Sequence, residues 1–215
     1  SDYDADGIPG GVALHDFFKK IGFNNFTNYI PLRNEEGFGL NNDAVETLNK
    51  DGVNLIITID CGITDVSQVD LANKLGMDVI ITDHHIPGKK LPKAFGIINP
   101  KQKGCEYPEK MLCGSGVIFK VIQGLIKKGK EDGVFEWKDG QEKWFLDMIG
   151  LATMSDMVPL LGENRALSYY GMKVIQRSPR AGLQKLFSLL KINQNKVTED
   201  DIAFMITPRI NAASR

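Results

Sequence analysis

The sequence predicts an α/β protein in which a doubly wound parallel sheet is followed by a mainly helical portion. Two continuous apolar runs rich in β-branched residues, at 54–60 and 78–83, are typical of strands buried on both faces. A helical segment separates them, and this spacing favours right-handed crossovers between parallel strands. From about Gly114 onward, nearly every periodic segment has the spacing of a helix.

The first half of the chain alternates between the two kinds of segment. The predicted elements are a helix at 11–21, a short strand at 28–33, a helix at 43–50, the strand at 54–60, a helix at 65–75, the strand at 78–83 and a strand at 95–100. Gly76 is a stop signal for the third of these helices.

The second half is predicted to be almost wholly helical. Its helices are expected at 117–128, 142–154, 164–176 and 183–190, and residues 129–140 are expected to form a mobile polar connection. We therefore predict an α/β catalytic subdomain over 1–110 and a mainly helical continuation over 111–215.

Composition sets the broad class of the protein. With 215 residues, 42% of them hydrophobic and 25% charged, the chain suits one large or two small globular domains. No apolar run reaches the length of a membrane span, so we expect no membrane contact. The net charge of −1 provides no overall basic field to indicate nucleic acid.

The three cysteines and the first residue give two further expectations. An odd number of cysteines without a C-x-x-C pair argues against a disulfide framework or a zinc knuckle. A reducing, cytoplasmic location fits best. The chain begins at Ser1 rather than at a methionine, so we expect a fragment of a longer protein whose downstream domains lie outside it.

Acidic and imidazole side chains cluster at the predicted strand ends. Asp60 ends one buried strand, and Asp83, His84 and His85 end the next. The carboxyl ends of parallel strands meet at one edge, where ligands bind. Three alternating aspartates precede a glycine-rich helix start that belongs to the same edge, namely Asp2, Asp4 and Asp6.

So many carboxylates at one edge would repel one another and resist ionisation unless cations neutralise them. Mixed carboxylate and imidazole ligands suit Mn²⁺, Fe²⁺ or Zn²⁺, whereas Mg²⁺ prefers oxygen. Two divalent ions in such a crevice serve phosphoryl-transfer hydrolysis. Taken singly, an aspartate at a strand end is more often a helix cap or turn residue, and His15 is interpreted as structural.

Several motifs resemble the DHH phosphoesterase family and its RecJ branch. Residues 2–7 (DYDADG), 58–62 (TIDCG), 83–85 (DHH) and 155–160 (SDMVPL) resemble the aspartate motifs of the family. Residues 36–40 (EGFGL), 112–116 (LCGSG) and 208–215 (PRINAASR) match further blocks of the RecJ branch. The resemblance runs the full length of the chain, in order.

The resemblance implies a set of metal ligands. They are Asp4, Asp6, Asp60, His84 and Asp156, with Asp2 close by, and Asp6 and Asp60 are expected to bridge two ions. Mn²⁺ is the ion expected first, and Mg²⁺ is the alternative. Asp156 rests on the resemblance alone, because its surroundings predict only a helix end.

The same resemblance implies roles in binding and catalysis. His85 is expected to face the substrate phosphate, and His85, Asp83 and Arg209 are assigned to catalysis. Phosphate is expected to be bound by Arg209, Asn211 and Arg215, and by backbone N–H groups of Gly114, Ser115 and Gly116 at a helix start. Candidate platforms for stacking bases are Tyr107, Phe38 and Trp137.

The implied activity is 5′-to-3′ degradation of single-stranded DNA to mononucleotides, in DNA repair and recombination. Single-strand-binding proteins and helicases are expected as partners, and the protein as a monomer. Two alternatives stay open. One is an oligoribonuclease, small-nucleotide phosphatase or pyrophosphatase on the same metal core, and the other is a non-catalytic scaffold of a replication complex.

Overall fold

A computed structural model describes residues 1–32 and 36–213 of the chain. Its sheet has three parallel strands in the order β1 (Leu55–Ile59), β2 (Asp78–Thr82) and β3 (Gly96–Ile98). Ile59 is in register with Thr82, and Thr82 with Ile98, so the carboxyl ends of all three strands lie level. The predicted parallel α/β fold followed by a helical portion is confirmed.

Helices surround the sheet and make up nearly all of the chain that follows it. They are α1 (Gly7–Lys20), α2 (Asn42–Lys50), α3 (Val66–Lys74), α4 (Gly114–Glu131), α5 (Leu146–Ser155), α6 (Gly162–Ile175), α7 (Ala181–Leu189) and α8 (Thr207–Ala213). A 3₁₀ turn, Gln141–Phe145, leads into α5, and a second lies at Gln194–Lys196. A π-helix, Asp201–Ile206, leads into α8.

Polar side chains help to set where α1 and α2 begin. α1 begins at Gly7, earlier than predicted, because Oδ1 of Asp4 accepts the N–H groups of Asp6 and Gly7 at 2.8 and 2.9 Å. At α2, the side chain of Asn41 accepts the N–H of Ala44 at 2.7 Å as an N-cap.

The strand predicted at 28–33 is wrong for the residues that the structure describes. Residues 28–32 belong to no strand, and Arg33 lies outside the described residues. The backbone groups here bond to partners outside any strand: the carbonyl of Tyr29 accepts the Ser1 ammonium at 2.9 Å, and the N–H of Leu32 donates to the side chain of Glu36 at 2.5 Å. An apolar extended segment becomes a strand only when another strand pairs with it.

The main core draws on both predicted parts of the chain. Phe17 of α1 and Ile59 of β1 pack in one cluster with Ile118 of α4 and Ile149 of α5. The proposed division at residue 110 therefore runs through a shared core, and it stays a prediction. Trp137, within the segment expected to be a polar connection, is only 7% exposed and packs against Phe17, so this segment is anchored rather than free.

A second core cluster belongs to the helical half. It joins α5, α6 and α7 to the π-helix, whose Ile202 and Ile206 are fully buried. No helix among the described residues is both long and apolar enough to cross a membrane. Cys61, Cys105 and Cys113 are free thiols.

Candidate metal centre

The six predicted metal ligands converge at the carboxyl edge of the sheet. Asp60 follows β1 directly, and His84 follows β2 by one residue. Asp6 is the residue before α1, and Asp156 the residue after α5. The aspartates Asp2 and Asp4 lie on the loop that leads into α1.

Three overlapping groups of side chains could each hold a divalent ion. In each group the ligand atoms lie within 4.8 Å of one another, and the groups are Asp60–His84–His85, Asp6–His84–Asp156 and Asp2–Asp4–Asp60. Asp60 and His84 each belong to two groups. Shared ligands are what a centre with two neighbouring ions requires.

His84 lies at the middle of the cluster and is buried. Its Nε2 is 3.1 Å from Oδ1 of Asp60 and 3.7 Å from Oδ2 of Asp6, and its Nδ1 is 3.7 Å from Oδ2 of Asp156. Burial lowers the pKa of His84, although Asp6 opposes this. A neutral imidazole is the form that binds a metal.

Backbone N–H groups at the start of α4 hold Asp6 in place. Its two carboxylate oxygens accept from Gly114 and Ser115 at 2.6 and 2.7 Å, and its carbonyl accepts the Ser115 hydroxyl at 2.6 Å. A helix N-terminus stabilises a negative charge, which here is an aspartate of the cluster. Gly116 donates instead to Sγ of Cys113 at 3.4 Å.

Asp83 orients the two histidines and is only 1% exposed. Its Oδ1 accepts from the backbone N–H of His84 and His85 and lies 2.8 Å from Nδ1 of His85, while Oδ2 accepts from Ile63. Burial favours a higher pKa for Asp83, but the bonds from His85 and Ile63 outweigh it and the pKa is lowered. The hydrogen bond between the Asp83 carboxylate and the ring of His85 also raises the pKa of His85.

The other carboxylates of the cluster resist ionisation. Burial, followed by repulsion from neighbouring aspartates, raises the pKa of Asp60 well above its ordinary value and that of Asp156 to about 7. Burial is also the main cause that raises the pKa of Asp2 to about 6, and it raises the pKa of Asp6. Close cations would remove this penalty.

The residues present fit a divalent metal. Three ligand atoms are buried without a hydrogen bond in the described part of the chain: Oδ1 of Asp2, Oδ1 of Asp60 and Nδ1 of His84. The 3.1 Å approach of His84 Nε2 to Oδ1 of Asp60 does not have the geometry of a hydrogen bond. A buried polar atom without a partner costs free energy, so such atoms are rare in folded proteins. A cation would satisfy all three, and an imidazole within a carboxylate set suits Mn²⁺ better than Mg²⁺.

A glycine-rich loop brings an aromatic ring to the edge of the centre. Phe38 is half exposed, and its ring lies 5.5 Å from that of His85 in an edge-on arrangement. Oδ2 of Asp65 fixes this loop by accepting the N–H of Leu40 at 2.7 Å. Gly39, with φ +83°, leaves no room for a side chain beside that carboxylate.

The structure places the other predicted site residues in different surroundings. The guanidinium of Arg209 donates to the carbonyl of Met205 in the preceding π-helix, 2.7 Å away, and the side chain is exposed. Oδ1 of Asn211 accepts the N–H of Ala5 at 2.7 Å. Arg215 lies outside the described residues. The N–H groups of Gly114 and Ser115, expected to meet a phosphate, donate to Asp6 instead.

Two of the three aromatic candidates are engaged elsewhere. Trp137 is buried in the main core, and the hydroxyl of Tyr107 donates to Glu163 at 2.6 Å. Sequence reasoning did not identify Asp65 or Thr207, which contact the loops around the site. An aspartate at a helix start carries only a capping signal, and Thr207 carried no signal.

Known proteins are similar to this chain in sequence and in architecture. The model of the "DHH family, N-terminal domain" matches residues 1–153. The chain is 39% identical over 215 residues to the single-stranded-DNA-specific exonuclease RecJ of Bacillus subtilis and 35% identical over 218 residues to that of Escherichia coli. All of this chain is covered, but only 26% and 38% of those relatives.

Solved structures agree with the sequence comparison. A crystal structure of exonuclease RecJ bound to manganese matches with a TM-score of 0.84 and 33% identity, covering 99% of this chain and 51% of that one. RecJ of Thermus thermophilus in complex with Mn²⁺ matches with a TM-score of 0.78 and 30% identity, over 99% of this chain and 29% of that one. The match to the family model spans well over half of the chain, so this protein belongs to the DHH family.

Proposed function

We propose that this chain carries the catalytic centre of a metal-dependent phosphodiesterase that degrades single-stranded DNA from the 5′ end and releases mononucleotides. The observation that carries the proposal is the cluster of carboxylates around His84, with three buried ligand atoms that lack partners. The preference for DNA and the direction of cleavage rest on the similarity to RecJ proteins. A role in DNA repair and recombination rests on the same similarity.

We assign the metal ligands to Asp2, Asp4, Asp6, Asp60, His84 and Asp156. When bound there, two divalent ions would supply a water of lowered pKa and neutralise charge at the phosphate. Mn²⁺ is our first choice because a nitrogen ligand lies at the centre of the cluster and two similar solved structures contain Mn²⁺. Mg²⁺ is the alternative, since another similar structure contains it.

We assign His85 to contact the substrate phosphate. Its side chain is about half exposed beside the cluster, and Asp83 holds its ring through Nδ1 at 2.8 Å. Because the hydrogen bond to Asp83 raises the pKa of His85, the ring keeps a proton closer to neutral pH. It is placed to donate to a phosphate oxygen or to protonate the leaving oxygen. Phe38, packed edge-on against this ring, is assigned to stack on a base.

Arg209 and Arg215 stay proposed phosphate contacts. Arginine pairs with phosphate through two parallel hydrogen bonds, and Arg209 is exposed and close to α8's contact with the first aspartate loop. The free thiols of Cys61, Cys105 and Cys113 support our proposal of a reducing, cytoplasmic setting. The protein partners and the monomeric state stay predictions.

Digestion of end-labelled oligonucleotides tests the proposal. Single-stranded DNA labelled at the 5′ or 3′ end is incubated with Mn²⁺ and either the native chain or Asp60→Ala. Asp78→Ala is the matched control, because Asp78 is exposed and begins β2 at the opposite edge of the sheet. We expect mononucleotides from the 5′ end, loss of cleavage in Asp60→Ala and no change in Asp78→Ala.

Other outcomes separate the alternatives. Cleavage of short RNA or of a small nucleotide substrate, with long DNA left intact, would favour the oligoribonuclease or phosphatase alternative. A native chain that binds Mn²⁺ but cuts none of these substrates would favour a non-catalytic role. A native chain that binds no Mn²⁺ would overturn the metal centre itself.

A further inference from the structure

Two side chains of α8 contact residues beside carboxylates of the metal centre, one on the first aspartate loop and one at the end of α5. Oδ1 of Asn211 accepts the N–H of Ala5 at 2.7 Å, and Oγ1 of Thr207 lies 2.6 Å from Oγ of Ser155. Thr207 is buried, at 8% exposure. Residues 207 and 211 are four apart in a helix, so they lie on one face of it.

Each contact is one residue away from a carboxylate of the cluster. Ala5 lies between Asp4 and Asp6, and Ser155 directly precedes Asp156. One face of a single helix therefore reaches both the first aspartate loop and the late aspartate. The two contacted residues, Ala5 and Ser155, are 150 positions apart in the sequence, so no local structure fixes their distance.

The helix that makes these contacts is firmly anchored. Ile202 and Ile206 of the preceding π-helix are fully buried in the helical core. A π-helix is a rare, wider turn that often occurs at functional sites. Here it joins the anchoring residues to α8, and Thr207 is the first residue of the α-helical part.

The first aspartate loop and the end of α5 need such an anchor because the ionised carboxylates of Asp6 and Asp156 would repel each other. Both carboxylates lie 3.7 Å from the ring of His84. A shift of either segment would change the distance between the two carboxylates and lower the affinity for an ion, since coordination demands fixed ligand positions.

We propose that Thr207 and Asn211 are positioning residues that set the distance between the first aspartate loop and Asp156. They act through the backbone of Ala5 and the side chain of Ser155. This inference rests on the proposed function and deepens it, because it makes the affinity of the centre for metal depend on α8.

Calorimetric titration of the metal-free chain with Mn²⁺ tests the proposal without measuring activity. We expect Asn211→Ala and Thr207→Val to weaken Mn²⁺ binding about tenfold, as substitutions that disorient ligands do. Thr207→Ser keeps the hydroxyl and should bind like the native chain. Combining Thr207→Val with Ser155→Ala should weaken binding no further than Thr207→Val alone, because both remove the same contact.

Matched controls are Thr47→Val on the exposed face of α2 and Asn195→Ala in an exposed 3₁₀ turn. Both should bind Mn²⁺ like the native chain. If Asn211→Ala does not fold, the comparison of Thr207→Val with Thr207→Ser decides, since valine matches threonine in size. Native affinity in both Asn211→Ala and Thr207→Val would overturn the inference while leaving the proposed function intact. A native chain without Mn²⁺ binding would overturn both.

Discussion

Gly114 and Asp60 are packed so closely that a Cβ atom at position 114 would lie 2.5 Å from both Cβ and Oδ1 of Asp60. Real Cβ atoms do not approach other atoms so closely, so any side chain at position 114 must displace the aspartate. The start of α4 thus forms the floor of the metal centre. The absence of a side chain at Gly114 leaves space for Asp60. The backbone N–H groups of Gly114 and Ser115 bind the carboxylate of Asp6.

Gly114→Ala should therefore damage the centre more than the fold. We expect Mn²⁺ affinity to fall at least about tenfold, because a proposed bridging carboxylate must move. Gly116→Ala is the matched control: its Cβ would meet the flexible end of Leu112 at 3.3 Å. Titration of both variants with Mn²⁺ checks this, and equal affinities would contradict the close packing of Gly114 against Asp60.

Asp60→Asn should stabilise the metal-free protein at alkaline pH. Burial and neighbouring aspartates raise the pKa of Asp60, so the folded state favours its protonated form. The protonated Asp60 carboxyl contributes its full stability below the pKa that it has in the unfolded chain. This contribution is lost as the pH rises through the higher pKa that it has in the folded chain. Asparagine keeps the shape and tolerates the positive φ of 64°. We expect a gain on the order of 1 kcal/mol at pH 8.

Thermal unfolding with a chelator measures this gain. Added Mn²⁺ should then make the native chain more stable than Asp60→Asn, because the ion stabilises the native chain by mass action and binds Asp60→Asn weakly. A variant that is less stable than the native chain at pH 8 without metal would refute the unfavourable ionisation of Asp60.

The affinity for Mn²⁺ should rise with pH between about 5.5 and 8. Ligands bind metal in their deprotonated form, and the pKa is raised to about 6 for Asp2 and to about 7 for Asp156. Protons must therefore leave as the metal binds. Calorimetry in two buffers of different ionisation enthalpy should detect proton release at pH 6 and less of it at pH 8. An affinity independent of pH over this range would exclude these carboxylates as ligands.

Asp83→Asn should separate catalysis from metal binding. The substitution removes the charge that holds His85, so the pKa of His85 should fall. If protonated His85 assists the reaction, the alkaline limb of the pH–rate profile moves to lower pH, and the rate falls about 10–100-fold. Mn²⁺ affinity should change little. The opposite pattern, with affinity lost and the profile unmoved, would make Asp83 a support of the metal ligands alone.

Gly171→Ala should destabilise the helical half. A Cβ at position 171 would lie 2.5 Å from Cα of Gly150, where α5 and α6 cross. Forcing these helices apart should cost about 1–3 kcal/mol or more. Gly124→Ala in α4 is the control: its Cβ would meet nothing within 4 Å, so better helix propensity should stabilise the chain by up to about 1 kcal/mol. Chemical denaturation of both variants measures the difference.

The part of the site that the sequence predicts is the part set by the sheet. Buried strands are recognisable in the sequence as apolar runs. The carboxyl ends of β1 and β2 lie level, which brings Asp60 and His84 together. Asp156 follows a helix rather than a strand, so only family resemblance identified it. The strand predicted at 28–33, which residues 28–32 do not form, shows the same limit, since a pattern marks extended chain but not its hydrogen-bonding partner.

The supports of the site could not be predicted from local sequence. Asp6 is held by Gly114 and Ser115, more than 100 residues away, and a glycine before a helix looks the same whether its N–H meets a phosphate or an aspartate. The contacts of Asn211 and Thr207 depend on the course of the whole helical half. Such contacts are properties of the tertiary fold, which periodicity does not encode.

The bond between Ala5 and Asn211 joins residues 206 positions apart. During translation, the first aspartate loop leaves the ribosome well before α8 has been made. Contacts between such distant residues form late, because a long loop must close before they are gained. A nascent chain thus carries the carboxylates of the proposed metal centre before it has the helix that contacts their loop. The contacts of Thr207 and Asn211 can form only after translation has passed α8, so a shorter nascent chain should bind a metal ion more weakly.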